Sequence, residues 1–273
     1  MIRGAPEGRA ESTTEGAAEI GALYRYPVKG LSPEPLSRTQ LAAGGTIPGD
    51  RLYAIENGPT GFDPAAPTYF PKSRFLMLMK NERLAALATR YDDATRRLTI
   101  AQAGRQIVDA DLAAAEGRQT VERFFETFMA GELRGPPKVL YGGHHSFSDV
   151  ARKVVSIINL ASVAEIEKAV GRPVDPLRFR ANLYVAGWPA WHEFELMNRE
   201  IAIGPQARLK VFKRIVRCAA TQVDPSTGVR DIDVPAVLRR IVGHIDCGVY
   251  AEVLTGGGIA VGDPIGPASP PSQ

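Results

Sequence analysis

Three shortages in this sequence exclude whole classes of protein. Only two of the 273 residues are cysteine, Cys218 and Cys247, too few for a disulfide framework, so we expect a reducing compartment and a cytoplasmic location. With 33 basic and 30 acidic residues the net charge is +3, and only 7% of residues are aromatic, so we expect no nucleic-acid partner. The longest stretch without Asp, Glu, Lys or Arg, Ala181–His192, has 12 residues. Spanning a bilayer takes about 20, so we expect no membrane segment.

Common catalytic and cofactor motifs are missing as well. The sequence has no G-x-x-x-x-G-K-[ST] loop, no G-x-G-x-x-G at the start of a predicted helix and no G-x-S-x-G nucleophile elbow. His192-Glu193 begins like the H-E-x-x-H motif of zinc proteases, but residue 196 is Leu. Two distant cysteines and four scattered histidines also argue against a structural zinc site.

Glycine and proline, by contrast, are abundant: 27 Gly and 21 Pro make up about 18% of the chain, against about 12% on average. We therefore predict a mainly β (α+β) protein with a few flanking helices. At about 150 residues per domain the length allows two domains, which we place at residues 18–110 and 111–266. The first 19 residues hold four acidic and two basic side chains and no apolar core, unlike a signal or transit peptide. We expect a disordered leader over residues 1–17 and a disordered tail over 267–273.

Hydrophobic spacing predicts helices at Asp111–Met129, Ala161–Val170 and Pro235–Ile241. Asn159 or Ser162 can cap the second of these and Gly171 ends it. Short apolar segments between turn residues predict strands, a pattern typical of β-barrels. The main predicted strands are Ile20–Pro27, Arg51–Ile55, Phe75–Leu78, Leu84–Leu87, Arg97–Ala101, Gln106–Val108, Asn182–Val185, Glu200–Ile203, Arg208–Phe212, Cys218–Val223, Gly248–Leu254 and Ile259–Val261, the last two joined by a Gly256–Gly258 hairpin turn.

Cys218 is the candidate reactive group. It follows Lys213, Arg214 and Arg217, and nearby cations favour the thiolate form of a cysteine. A thiolate at the head of a strand, beside the turn that contains Asp224, can face a pocket and bind a soft metal. The alternative is a buried, inert cysteine.

Several cations could form an anion site. If Arg178–Asn182 is extended, Arg178, Arg180 and Asn182 share one strand face, and planar guanidinium groups match the oxygens of a phosphate. Lys29 follows a predicted strand, and Arg51 follows Gly49-Asp50. The alternative for each of them is a solvated surface cation.

Together these segments resemble the MOSC family, named for the C-terminal domain of molybdenum cofactor sulfurases. Residues 20–108, with Y-P-V-K-G at 26–30 and G-D-R at 49–51, resemble the β-barrel domain that precedes many MOSC domains. The rest of the chain resembles the MOSC domain itself. The segments that carry this resemblance are R-F-R-x-N at 178–182, R-C at 217–218, T-x-V-D-P-x-T-G at 221–228, G-V-Y-A-E-V at 248–253 and V-G-D-P at 261–264.

The resemblance implies a β-barrel that holds a molybdenum cofactor (Mo-molybdopterin), with Cys218 at the position of the cysteine that ligates molybdenum. Cys247 matches no ligand position. Asn159 stands where relatives often have a serine near the cofactor, and Arg178 is added from the strand-face argument. The positions that match cofactor-holding residues of the family are Lys29, Arg51, Arg180, Asn182 and Arg217.

The best-known activity of two-domain relatives is the reduction of N-hydroxylated compounds: amidoximes, hydroxylamines and N-hydroxylated purines. The resemblance implies oxygen-atom transfer at molybdenum, with electrons from a separate ferredoxin- or flavoprotein-type donor, because the clustered cysteines of a fused ferredoxin domain are missing. Asp224 could position a proton, or could be only a turn residue. A different class of function is a molybdopterin-binding or sulfur-carrier module without turnover.

Overall fold

A computed structural model describes residues 18–268. Within them the protein is mainly β, as predicted, with three α-helices and several short 3-10 helices. The strands are β1 (Glu19–Arg25), β2 (Glu34–Leu36), β3 (Arg38–Leu41), β4 (Tyr53–Asn57), β5 (Leu87–Asp92), β6 (Arg97–Gln102), β7 (Arg105–Asp111), β8 (Pro137–Tyr141), β9 (Val155–Asn159), β10 (Leu183–Ala186), β11 (Glu200–Ile203), β12 (Ala207–Val216), β13 (Asp246–Thr255), β14 (Gly257–Ala260) and β15 (Ile265–Pro267). The helices are α1 (Ala115–Phe128), α2 (Leu160–Val170) and α3 (Val234–Val242).

The largest element is a curled eight-stranded sheet in the order β15-β11-β12-β13-β9-β10-β1-β2. All of its neighbours pair antiparallel except β9 and β10, which are parallel and are connected through α2. One face carries a continuous apolar core that includes Ile157, Val211 and Val249, all completely buried. Because β1 and β2 pair within this sheet, the first described strands are part of the same barrel as the C-terminal half.

A second unit packs beside the barrel around its own core. It contains the three-stranded sheet β5-β6-β7, the pair β4-β8 and helix α1, which contacts β7 and β8. Val121 and Phe125 of α1 are fully buried there. Helix α1 and strand β8 therefore belong to this second, N-terminal unit, although both lie after residue 110, where the sequence predicts the domain boundary.

The helices form where hydrophobic spacing predicts them, and the second also has a predicted cap. The side chain of Asn159 accepts a hydrogen bond from the Ala161 amide at the start of α2, and Gly171 ends that helix in the left-handed conformation. Helix α3 begins with the cap Asp233, which accepts from the Ala236 amide. All three predicted helices are thus confirmed, with ends shifted by up to four residues.

Three predicted strand segments, Phe75–Leu78, Leu84–Leu87 and Cys218–Val223, are wrong. Phe75–Leu78 is an irregular segment with four consecutive buried residues and one bridge to Glu56, and Glu82–Ala86 is a 3-10 helix that precedes β5. Cys218–Val223 is also not a strand: it turns into the 3-10 helix Ala219–Gln222. Short apolar runs are buried in these irregular segments as completely as in strands, so their composition alone cannot identify them.

The predicted hairpin turn at Gly256–Gly258 is also wrong, because the strands on its two sides do not pair with each other. Strand β14 starts at Gly257 and pairs with β3, not with β13. The backbone of Gly257 also passes close to the segment that leads into β12. A Cβ on Gly257 would stand 2.8 Å from the Cβ of Gln206, so this close approach requires glycine. At the C-terminal end, β15 pairs with β11 and includes Pro267, which the sequence assigns to the tail.

The predicted leader, residues 1–17, and the rest of the predicted tail, residues 269–273, lie outside the described residues. No helix within residues 18–268 has the length and hydropathy needed to cross a membrane.

Candidate functional site

A pocket of about 250 Å³ lies between the two units. The N-terminal unit contributes the segments around Lys29, Asp50 and Lys72, and the barrel contributes the end of β12 and the loop before β10. Two of the lining side chains are acidic, Asp50 and Asp149. Eight are basic: Lys29, Arg51, Lys72, Arg178, Arg180, Lys213, Arg214 and Arg217. This surplus of cations favours an anionic ligand over a neutral or cationic one.

Cys218 lies two residues after the end of β12 and lines this pocket, half-buried. Its Sγ lies 3.4 Å from the ammonium Nζ of Lys72, at hydrogen-bonding distance. An ammonium at this distance stabilises negative charge on the sulfur. Cys218 therefore lies in a pocket among cations, as the sequence predicts. The cation that contacts its sulfur is Lys72, however, and not one of the basic residues that precede Cys218 in the sequence.

Asp149 connects two of the lysines. Its carboxylate binds the ammonium of Lys29 and, at 3.1 Å, that of Lys72. Although burial acts to raise it, the pKa of Asp149 is held well below its usual range by these two lysines, so the group is a carboxylate. Burial lowers the pKa of Lys29, and Asp149 opposes this effect. The resulting Lys29–Asp149–Lys72 chain fixes the cation beside Cys218.

Arg51 and Arg180 enclose the ring of Tyr26, with guanidinium carbons 4.8 and 4.3 Å from its centroid. Arg51 donates to the carbonyl of Arg180 at 3.0 Å, and Arg180 donates to that of Leu31 at 2.8 Å. Both arginines have left-handed backbones, with φ of 51° and 52°. This conformation costs a non-glycine residue about 1–2 kcal/mol, and such strain is concentrated at functional sites.

Arg217 is held by backbone carbonyls. Its guanidinium donates to Cys247 at 2.7 Å and to Phe179 at 2.9 Å, and its remaining terminal nitrogen is buried without a hydrogen-bond partner among residues 18–268. A Cβ at Gly248 would stand only 3.0 Å from that nitrogen, so glycine keeps the space beside it open. A buried donor without an acceptor is costly. A ligand with an anionic oxygen would satisfy it.

The proposed common strand face of Arg178, Arg180 and Asn182 does not exist. Pro176–Phe179 is a 3-10 helix and Arg180 is left-handed, so the three side chains diverge. All three still line the pocket. Asn182 is already bonded, since its Oδ1 accepts from Ser156 and its Nδ2 donates to the carbonyl of Tyr24.

Asp224 is not among the pocket-lining residues. Its Oδ1 accepts from the amides and hydroxyls of Ser226 and Thr227, and its Oδ2 accepts from Arg178 at 3.0 Å. Burial acts to raise its pKa, but these hydrogen bonds lower it to about 2. Asp224 is therefore an ionised turn residue that orders the segment after Cys218, which is the alternative role suggested by its sequence context.

Asn159 also lies outside the pocket lining. It is completely buried, caps α2 and donates at 3.0 Å to Glu193, a buried carboxyl that also accepts from Ser162. Burial raises the pKa of Glu193, which the hydrogen bonds oppose. The structure thus gives Asn159 a place in a buried hydrogen-bond network, not against a ligand.

Replacing Asn159 by alanine removes a helix cap and a donor to a buried carboxyl. We expect the free energy of unfolding, measured by urea titration, to fall by about 1–3 kcal/mol. Because Asn159 does not line the pocket, the binding of an anionic ligand there, measured per folded protein, should stay at the wild-type level. The matched change Asn182→Ala, inside the pocket, should lower both stability and ligand binding. A stable Asn159→Ala protein that loses ligand binding would place Asn159 in the site after all.

Sequence reasoning missed Lys72, Asp149, Tyr26 and Tyr250, all in or beside the pocket. Tyr26 stands next to Pro27 in the segment that contains Lys29, and Tyr250 stands in the G-V-Y-A-E-V segment, so both lay within motifs already noted. Nothing in their local sequence distinguishes Lys72 and Asp149 from surface charges. Cys247, by contrast, is completely buried outside the pocket lining, and burial raises the pKa of its thiol to about 12.

The fold and the pocket define a class of protein: a β-barrel with a second β-rich unit, which together enclose a cationic pocket with one free thiol. Two family models match the chain in succession, the MOSC N-terminal beta barrel domain over residues 17–135 and the MOSC domain over residues 142–266. The chain belongs to the MOSC family in this two-domain arrangement.

Solved structures that match this chain include the YuaD protein from Bacillus subtilis, which is 16% identical, with 92% of this chain and 94% of that chain covered and a TM-score of 0.44. YiiM from Geobacillus stearothermophilus is 19% identical, with 42% of this chain and 54% of that chain covered and a TM-score of 0.34. A search of curated proteins finds no match.

Proposed function

We propose that this protein binds the molybdenum cofactor through Cys218 and reduces N-hydroxylated compounds. One observation carries the proposal: a half-buried thiol lines the same cationic pocket as Arg217, whose buried guanidinium has one nitrogen without an acceptor among residues 18–268. Molybdopterin combines these two requirements, since it has a phosphate at one end and binds a metal through sulfur at the other.

The residues of the pocket fit such a cofactor. Arg217 and Arg180 have no carboxylate partner within residues 18–268, so they would hold its anionic groups, together with Lys29 and Arg51. No cluster of three or more His, Cys, Asp or Glu within those residues could hold a metal ion. A metal bound by Cys218 would take its other ligands from the cofactor.

When bound, the cofactor would supply oxygen-atom transfer and two-electron redox chemistry. The chain's own residues would then have three tasks. The Cys218 thiolate would bind the metal, and Lys72 would hold that sulfur in place. The arginines would fix the orientation of the cofactor through its anionic groups. Electrons would come from a separate donor protein.

The test is to purify the protein from cells that make the cofactor and to measure molybdenum by elemental analysis and pterin by fluorescence after oxidation. The same sample is then assayed for reduction of benzamidoxime and hydroxylamine with reduced methyl viologen. We expect about one molybdenum per chain and turnover of at least one substrate. Bound molybdenum and pterin without turnover would support the alternative, a carrier module. Protein without either would contradict the whole proposal.

A further inference from the structure

Four of the eight cations of the pocket are already paired with carboxylates. Arg51 pairs with Asp50, Lys29 and Lys72 share Asp149, and Arg178 pairs with Asp224 and Asp231. The guanidinium of Arg214 lies 4.3 Å from the centre of the Phe194 ring. Arg180 and Arg217 stack on the rings of Tyr26 and Phe179. Within residues 18–268, Lys213 is then the pocket cation with neither a carboxylate nor an aromatic ring as partner.

Lys213 is exposed, and no hydrogen bond or carboxylate within the described chain holds its ammonium. On β12 it stands opposite Tyr250 of β13, which in turn stands opposite Ser156 of β9. Paired residues of antiparallel strands share a face, and Tyr250 and Ser156 both line the pocket. The next residue, Arg214, pairs with Val249, which belongs to the apolar core on the other face.

Tyr250 adds a second donor next to Lys213. Its side chain is half-buried in the pocket, and its hydroxyl has no hydrogen-bond partner within residues 18–268. Burial raises the pKa of this phenol, so it stays protonated and can donate. An unpaired ammonium and an unpaired hydroxyl at directly opposed strand positions suit one anionic group.

We propose that Lys213 and Tyr250 form a subsite for an anionic group of the substrate, so that this protein acts on N-hydroxylated compounds that carry a carboxylate or a phosphate. The inference rests on the proposed function and names the substrate class of the same site. The buried Arg217 would serve the cofactor, whereas the exposed Lys213 at the mouth of the pocket would receive the substrate.

The test compares two substrates of the molybdenum-loaded protein with reduced methyl viologen as electron donor: neutral benzamidoxime and anionic 4-carboxybenzamidoxime. We expect the KM of the anionic substrate to be about fivefold lower, and the preference to shrink in 0.5 M NaCl. Lys213→Gln should bring the ratio of the two KM values close to one, Tyr250→Phe should reduce it about threefold, and Lys213→Arg should preserve it.

Lys210→Gln is the matched control. Lys210 is exposed on the same strand, opposite Glu252 and outside the pocket lining, so the same loss of charge there should leave the ratio at the wild-type value. Equal KM values in the wild type, or an equal effect of both glutamine variants, would overturn the subsite.

Binding gives a second readout that does not depend on turnover. Calorimetry should show that 4-carbamoylbenzoate binds the loaded protein about fivefold more tightly than benzamide, and that Lys213→Gln removes the difference. If the loaded protein reduces neither substrate, the proposed function is wrong, and this binding comparison alone decides the subsite. If Lys213→Gln instead loses molybdenum and pterin, the anion at this position belongs to the cofactor and the substrate subsite is wrong.

Discussion

Replacing Cys218 by alanine is expected to lower the reduction of N-hydroxylated substrates by about a hundredfold or more and to remove most of the bound molybdenum. Cys218 is the sole thiol that lines the pocket among residues 18–268, and even the loss of a residue that only supports a metal ligand costs about 10–100-fold. The half-buried side chain loses one atom, so the fold should remain intact. Elemental analysis and the methyl viologen assay measure the two effects.

Cys247→Ala provides the matched control. This cysteine is completely buried with its side chain outside the pocket lining, and its high pKa keeps the thiol neutral. Its backbone carbonyl, which accepts from Arg217, is unchanged by the substitution. We therefore expect wild-type molybdenum content and turnover. A Cys218→Ala protein that reduces substrate at the wild-type rate would refute the assignment of the ligand.

Replacing Arg178 by methionine should destabilise the protein by about 3–5 kcal/mol. The side chain of Arg178 is 2% exposed, and its guanidinium binds Asp231 at 2.7 and 3.0 Å and Asp224 at 3.0 Å. Methionine fills a similar volume but leaves two carboxylates without their buried cation. The free energy of unfolding is measured by urea titration, followed by the fluorescence of the two tryptophans.

Arg172→Met tests whether burial is the cause. Arg172 binds the same Asp231 at 3.2 Å, but its side chain is 48% exposed. Solvent screens such a pair, so the expected loss is at most about 1 kcal/mol. Similar losses in both variants would show that the network around Arg178 does not depend on its burial. Because this network includes Asp224, in the turn that follows Cys218, Arg178→Met should also lower molybdenum retention.

Local patterns were sufficient where neighbouring residues determine the structure. Helix α2 begins at the cap Asn159 and ends at Gly171 as its sequence predicts, because both signals act within one turn of the helix. The motifs that resemble the MOSC family likewise brought Lys29, Arg51, Arg180, Arg217 and Cys218 into one pocket. Motif residues separated by almost 190 positions could be grouped in this way only because their resemblance to the family was known.

Local patterns failed where the backbone follows tertiary contacts. Arg178–Asn182 alternates like a strand, but Arg178 is drawn into a buried ion pair and Arg180 into a left-handed turn against Tyr26. Asn159 has a capping sequence, and only the fold shows that its amide also meets the buried Glu193. These outcomes depend on partners far along the chain, which spacing cannot identify.

The amino-acid sequence alone therefore determined the mainly β class, the helices with their caps and the cysteine at the centre of the site, since composition, periodicity and motifs are local properties. Folding decided the charge environment of that cysteine. It placed Lys72 against Cys218 and Asp149 between two lysines, and it brought Lys213 opposite Tyr250 in the pocket lining, where neither side chain has a hydrogen-bond partner among residues 18–268. Electrostatic interactions depend on distance in space, and distances between remote segments exist only once the chain has folded.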